Sequence, residues 1–543
     1  MPEMTHGKRS IMAALAFAAC TLAVVVATQV AAGAYDADLG TTGDQAAHYV
    51  TSLMIRDYLA EAAGGNPMRF ALDYYSHFPR VSLGHWPPFF HAVQALVALA
   101  GGRSVAAAIG FQAVVAAVLC TVTAVVVARR LGWLAAVAAG VAVFAIPTVM
   151  FLTNAVMVDN FLALLMLGAV LAWARFVPSM DWRWSLAFGV LVSAAAMTKG
   201  TGYALALLPV FHAILTRRLG LLLDWRSWLS AVPVVMVTLP WLVLTYRISA
   251  DGFNYPWGWG YTGVAMPSFA NLAKEMLGVL LLGLFACGLA LAAWRGPAQD
   301  AVGTAMAGAV LAIAGFSVLV PADIQPRYLI PLVPPLVVVA ADGAAWIGRK
   351  LSVRAAIDSG MRLGQLAAAV LLVVAGLFVV RLPQIHSMRM DDVAQAILES
   401  GSANPIVLVV GWPNAEGALI AAFAERDTAR RNYVVRGTKV FADGNFMGSD
   451  YRPRFNEATA MSNWIAQAHI GWVVLDTARE SRAFTHVEQI AALAQADGWT
   501  LVRSFDAMRG EVRLYALNRS PVPPAVLDEV MRQIQPKKVI GTY

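Results

Sequence analysis

The sequence predicts a polytopic α-helical membrane protein of about 11–12 passes, followed by a soluble α/β domain. Three observations carry this. Hydrophobic residues make up 59% of the chain and charged residues 13%, whereas soluble domains run at about 45–50% and about 25%. Charge is unevenly spread: residues 1–383 hold 23 Lys/Arg against 16 Asp/Glu, and residues 384–543 hold 17 of each. Apolar runs of about 20 residues, enough to cross a hydrocarbon core, recur throughout the first part. The net charge of +7 thus lies wholly in the apolar part, where cations at cytoplasmic helix ends would put it, and this argues against a nucleic-acid-binding surface. Cys20, Cys120 and Cys287 all fall inside apolar runs, so neither a disulfide framework nor a Cys-based metal site is available.

In chain order the expected passes are 11–34, 104–128, 133–151, 159–176, 228–247, 276–294, 301–320, 328–348 and 364–381. Residues 184–216 are long enough for two tight passes, broken at Lys199-Gly200-Thr201-Gly202. Residues 89–101 follow Pro87-Pro88, are short for a span, and read as an interfacial helix. The first run, at 24 residues, exceeds a signal-peptide core of about 7–15 and reads as an uncleaved anchor. Lys8 and Arg9 put the N-terminus in the cytoplasm, and Arg129-Arg130, Arg175/Arg183, Arg217/Arg218/Arg226, Arg295 and Arg349/Lys350/Arg354/Arg362 fall on the same side. The outer face then receives the loop 35–88, the segment 152–158, the turn at Lys199, the loop 248–275, the junction 321–327 and the tail.

The outer loop 35–88 is the most informative stretch. It opens Asp44-Gln45-Ala46-Ala47-His48-Tyr49 and leads into His85-Trp86-Pro87-Pro88-Phe89-Phe90-His91. Asp44 could be a general base, a metal ligand, or an N-cap to a helix over about 45–60. Asp159 opens a later pass after an uncharged approach. An ionisable group at a helix mouth in the membrane region is a functional candidate, and capping is again the bland alternative. Lys199 and Arg327, the latter in Gln325-Pro326-Arg327-Tyr328-Leu329-Ile330-Pro331-Leu332-Val333-Pro334-Pro335, lie on the outer side against the positive-inside trend. They are either snorkelling anchors or a cation pair meeting a phosphate at the bilayer surface.

Taken in order, the acidic motif with its following Tyr, His-x-Pro-Pro, Asp at a later helix mouth, Lys-Gly and Arg-Tyr-x-x-Pro-x-x-Pro resemble the GT-C fold glycosyltransferases of the protein mannosyltransferase and aminoarabinose transferase group (glycosyltransferase family 39 and relatives). The resemblance covers about residues 10–380. It implies a polyprenyl-phosphate sugar donor, an acceptor hydroxyl on a lipid, glycan or protein, and a bacterial inner (plasma) membrane location. Asp44 and Asp159 match the catalytic acids, and Lys199 and Arg327 the cations near the lipid phosphate. His48, Tyr49, His85 and Tyr328 are candidate substrate contacts. Gln45 stands where many relatives carry a second acid, which weakens a metal site. No cofactor is required by this reading, although Asp44 and Asp159 could hold a divalent metal.

On this reading residues 1–383 form the transmembrane glycosyltransferase domain and residues 384–543 an outer-face domain. In the tail, β-rich runs at 405–410, 433–435, 472–475 and 512–515 alternate with helical stretches near 391–400, 415–427, 456–468 and 485–497, which predicts a small, largely parallel sheet. Gly411-Trp412-Pro413-Asn414-Ala415-Glu416-Gly417 reads as a strand-to-helix loop that could face the acceptor. The rival functions are a secondary transporter, although repeated hydropathy halves are not evident, and a lipid-sugar binding protein without catalysis.

Overall fold

The computed structural model describes residues 2–540 apart from 83, 251–254, 296–299, 355–359, 445–450, 497, 498, 519 and 536–539. The side chains of Lys8, Arg9 and Arg354 lie outside the described residues.

The membrane part runs α1 (Pro2–Ala31), α2 (Gln45–Glu61), α3 (Pro67–His77), α4 (Phe89–Gly101), α5 (Val105–Leu131), α6 (Trp133–Ala145), α7 (Pro147–Thr153), α8 (Asp159–Ser179), α9 (Trp182–Ala196), α10 (Leu208–Thr216), α11 (Trp225–Trp228), α12 (Ala231–Ser249), α13 (Trp259–Arg295), α14 (Ala301–Leu319), α15 (Val333–Arg354) and α16 (Gly360–Val379). Among the described residues eight helices are long and apolar enough to cross a membrane, and α6 with α7, bent by 71°, makes a ninth. Of the two tight passes expected over 184–216, α9 is 15 residues long and Gly200–Thr216 is a shorter apolar helix, so neither is among these nine. The chain is therefore an integral membrane protein. Its core is built largely of small residues: Ala113, Ala116, Ala135, Ala139, Ala163 and Ala169 are fully buried, which lets helices approach closely without a hydrophobic drive from lipid.

Two expectations need correction. The stretch 248–275 is not mainly a loop, because α13 starts at Trp259 and runs 37 residues. Lys274 and Glu275 interrupt its apolar pattern without ending the helix; the break comes at Gly278, whose φ of 74° only glycine adopts freely. The start of the pass at 328–348 is also irregular. Pro326 and Pro331 hold Pro326–Leu332 in a 3-10 helix, and regular α-helix begins only at Val333.

The tail contributes α17 (Met390–Glu399), β1 (Ile406–Val410), α18 (Pro413–Arg426), β2 (Tyr433–Arg436), α19 (Gly437–Val440), the short pair β3 (Ala442–Asp443) and β4 (Arg452–Pro453), α20 (Ala458–Gln467), β5 (Trp472–Asp476), α21 (Arg479–Arg482), α22 (Thr485–Ala496), β6 (Thr500–Ala507), β7 (Gly510–Ala516) and α23 (Pro524–Ile534). The main sheet has the order β2-β1-β5-β7-β6. Its first three strands are parallel, but β5 pairs antiparallel with β7, and β7 with β6. The sheet is thus mixed, not largely parallel. The sequence reading missed β6 because Phe505 is its one buried residue, leaving no in-out alternation to detect.

The two faces of β1 go to different cores. Ile406, Leu408 and Val410 pack with α20, α22 and α23, whereas Val407 and Val409 join a cluster containing Tyr49, Val50, Leu53, Tyr74 and Phe78 of α2 and its neighbours. The segment 35–88 is therefore built into the same core as the tail.

Candidate active site

Asp44 stands immediately before α2, yet its side chain makes no capping hydrogen bond. Its backbone carbonyl starts the helix by accepting from His48 N, and its carboxylate accepts from Arg327 Nη1 at 2.5 Å. Arg327 can reach it because the proline-held 3-10 turn presents the guanidinium before α15 begins. Asp159 is the first residue of α8 and accepts from Lys199 Nζ at 2.6 Å. Lys199 is extended (φ −159°, ψ 144°) between α9 and the following 3-10 helix. The tightness of that break explains Gly202, where a Cβ would come within 2.4 Å of the Ala195 carbonyl carbon.

The two ion pairs share one aromatic ring. Lys199 Nζ lies 4.3 Å and the Arg327 guanidinium carbon 5.7 Å from the Tyr328 ring centre, within cation–π range. Snorkelling does not describe either cation, since their side chains are only 11% and 16% exposed and each meets an acid. The acids differ: the Asp44 side chain is 29% exposed and that of Asp159 is 1% exposed. Among the described residues, Asp159 Oδ2 and Arg327 Nε are buried without a hydrogen-bond partner. Burial pushes the Asp44 carboxyl up, but Arg327 chiefly, with Lys199, holds it below the usual carboxylate value.

The remaining candidates divide. Tyr328 belongs to the site. His48 is buried one turn into α2, packs against Trp86 at a tilt (ring centres 4.4 Å) and lies with Nδ1 3.0 Å from His91 Nε2. Burial drives His48 down to about 3, so the ring is neutral near pH 7. Tyr49 is 2% exposed and its hydroxyl donates to the Arg103 carbonyl, directed into the packing between α2 and the start of α5. His85 is half-buried in the turn leading to Trp86. As to the divalent metal, each carboxylate faces a cation, and among the described residues no group of three His, Cys, Asp or Glu converges.

Sequence reasoning missed the residues that fix the Asp44 segment. Asp38 accepts from the backbone N–H groups of Met388 and Met390 at 2.8 Å. Asn414 Nδ2 donates to Gly40 O at 3.1 Å. Arg80 Nη2 donates both to Gly43 O at 2.9 Å and to Pro413 O at 3.0 Å. Residues 411–417 are not mainly a loop, since α18 starts at Pro413, and it is the first turn of α18 that lies against the segment carrying Asp44. No local signal marks Arg80 in Phe78-Pro79-Arg80, because its partners are carbonyls far away in sequence.

No protein-family model matches the chain, and none of the curated proteins does. Solved structures do match. ArnT from Cupriavidus metallidurans bound to undecaprenyl phosphate is 15% identical, with a TM-score of 0.55 over 93% of this chain and 99% of that one. The same protein in its apo state gives 15% and 0.56, over 94% and 100%. The archaeal oligosaccharyltransferase AglB from Archaeoglobus fulgidus, in complex with an inhibitory peptide and a dolichol-phosphate, is 11% identical, with a TM-score of 0.51 over 93% of this chain and 75% of that one. ArnT and AglB are GT-C fold glycosyltransferases, and with nearly the whole chain superposing on them, this protein has the GT-C fold.

Proposed function

We propose that the protein is a membrane glycosyltransferase that moves a sugar from a polyprenyl-phosphate donor to an acceptor hydroxyl on the outer face of the membrane. The observation that carries this reading is the Asp44–Arg327 pair beside Asp159–Lys199: a reachable carboxylate next to two buried cations. ArnT has been solved with undecaprenyl phosphate and AglB with a dolichol-phosphate, which supports a lipid-phosphate donor on the same fold.

Transfer at an anomeric carbon needs a base for the acceptor and stabilisation of the departing phosphate. Asp44 takes the proton of the acceptor hydroxyl as that oxygen attacks the anomeric carbon, and the bond to the phosphate oxygen breaks with its electron pair left on the phosphate. Attack opposite the leaving group inverts the anomeric centre. Arg327 offers the phosphate a planar fork and Lys199 a point charge. Asp159, enclosed by protein, holds Lys199 in place. Tyr328 orients both cations, and His48 contributes a neutral wall beside Asp44.

Several finer features belong to the same proposal. The acceptor is a lipid, glycan or protein, and the membrane is a bacterial inner (plasma) membrane with the N-terminus in the cytoplasm. Residues 1–383 are the transferase domain, and residues 384–543 an extracytoplasmic domain. The test is thermal unfolding of the purified protein with a panel of polyprenyl-phosphate sugars, followed by product analysis with the sugar that stabilises it most. Stabilisation by none of them, with no transfer, would remove the reading in favour of a transporter or a non-catalytic protein.

A further inference from the structure

We propose that Arg327 is a shared clamp that passes from Asp44 to the departing phosphate as Asp44 takes up the acceptor proton, so that base and leaving group compete for one guanidinium. The inference rests on the glycosyl-transfer reading above and adds to it an order of events and a role for the resting ion pair.

Three observations support it. First, Asp44 holds Arg327 through Nη1 alone, while Arg327 Nε is buried without a partner among the described residues. A guanidinium has five N–H donors in a fixed plane, so the unused part can meet a phosphate before the bond to Asp44 is given up. Second, the two ion pairs are unequal. Asp159 is 1% exposed and Asp44 is 29% exposed; an acceptor hydroxyl therefore reaches Asp44, while Asp159 lies out of its reach and keeps Lys199. Only Arg327 is freed by protonation of its partner. Third, Tyr328 lies against both cations, so Arg327 can change anionic partner while its guanidinium remains over the same ring.

The charges balance. At rest two carboxylates face two cations and the group is neutral. The donor is a phosphodiester with one negative charge. The acceptor oxygen bonds to the anomeric carbon, its proton moves to Asp44, and the bond from that carbon to the phosphate oxygen breaks with its electrons on the phosphate. The polyprenyl phosphate product now carries a second negative charge and Asp44 has lost its own, so the total is unchanged. Charge has moved from one side of Arg327 to the other. The guanidinium follows it, without requiring a further ion. The clamp would also restrain the base before donor arrives, because an Asp44 carboxylate held by Arg327 is a weak proton acceptor.

The consequence is unusual for a catalytic acid: removing it should strengthen binding of the product. Asp44→Asn and Asp44→Ala, purified as full chains in nanodiscs, are titrated at pH 7 with undecaprenyl phosphate and followed by thermal unfolding and by direct binding. Both variants should bind about tenfold more tightly than wild type or better, as expected when a competing ion pair is removed, while turnover collapses. Asp159→Asn should not tighten binding to this extent. Equal or weaker binding by both Asp44 variants, with wild type binding normally, overturns the shared clamp and leaves the glycosyl-transfer reading standing. If neither wild type nor variants bind undecaprenyl phosphate, the donor reading fails and this inference with it.

Discussion

Asp44 and Arg327, 283 residues apart in the chain, meet at 2.5 Å, and that one pairing joins the segment 35–88 to the 3-10 turn that opens α15. It converts a loop acid and an apparent anchor into parts of one site. Several measurable consequences follow from the partners each residue has.

Asp44→Asn removes the proposed base without removing a helix cap, because the wild-type side chain caps nothing. Turnover should fall by about 10²–10⁴-fold, the usual share of general base catalysis, with membrane insertion preserved. Initial-rate kinetics on reconstituted protein decide it. Near-normal turnover would take Asp44 out of the reaction.

Arg327→Lys keeps the charge and loses the planar fork. Donor titrations at saturating acceptor should show a raised KM, a lowered kcat, or both, with a folded protein. A Lys variant matching wild type would mean that a simple point charge suffices and that no bidentate grip is made.

The pH profile follows from the environments of Asp44 and His48. Arg327 holds Asp44 below the ordinary carboxylate value, and His48 sits near 3. A base with a depressed pKa remains ionised down to more acidic pH, so the acid limb of kcat/KM should lie below about 4. His48→Gln should introduce no limb between pH 5 and 8. An acid limb near 6 or 7 in wild type that disappears in His48→Gln would make His48, not Asp44, the titrating base.

Arg80 ties the Asp44 segment to the tail through two carbonyls. Arg80→Ala should lower kcat by about tenfold or more, the sensitivity expected when a catalytic group is mispositioned, while undecaprenyl phosphate binding changes little. Millimolar guanidinium, which can bridge the same carbonyls, should restore part of the loss. If kcat is unchanged, Asp44 is positioned without the tail.

Arg130 provides a contrast away from the site. It bonds Asp300 at 2.7 and 2.5 Å and Asp342 at 2.5 Å, with side chains only 10–17% exposed. Arg130→Ala leaves two largely buried acids without their cation and should cost about 3–5 kcal/mol. Thermal unfolding in detergent should record this as lost stability, with the donor KM of the surviving folded fraction unchanged. An equally stable variant would show that α5, α14 and α15 do not depend on this pairing.

Much of this arrangement could be read from composition and order. The apolar runs found the membrane helices because about 20 residues are needed whatever the tertiary structure; Asp44 and Asp159 stood out as acids at helix starts, and Lys199 and Arg327 as cations against the positive-inside trend. Which acid meets which cation was not legible. Lys199 has no acid nearby in sequence, and its partner Asp159 is 40 residues away. Tyr49 looked equivalent to His48 because they are adjacent, yet neighbouring residues on a helix point about 100° apart, and the Tyr49 hydroxyl reaches Arg103 instead. The antiparallel β6 edge and the Arg80 contacts were hidden for a related reason: one has too little buried surface to impose a pattern, and the other recognises backbone.

The 40-residue spacing of Asp159 and Lys199 also bears on how the protein is made. Both lie at the open end of the α8–α9 hairpin, and both are buried. Carrying either charge alone into the membrane would be costly, but Asp159 opens α8 and Lys199 follows the end of α9, so they can neutralise one another as the hairpin inserts. Asp44 has no such early partner. Arg327 is synthesised long after it, and Asn414, which holds Gly40 from 374 residues downstream, emerges later still. A ribosome must therefore complete most of the chain before these long-range contacts to the 35–88 segment can form, so a nascent protein stopped before the tail carries inserted helices but an Asp44 segment that lacks its tail contacts.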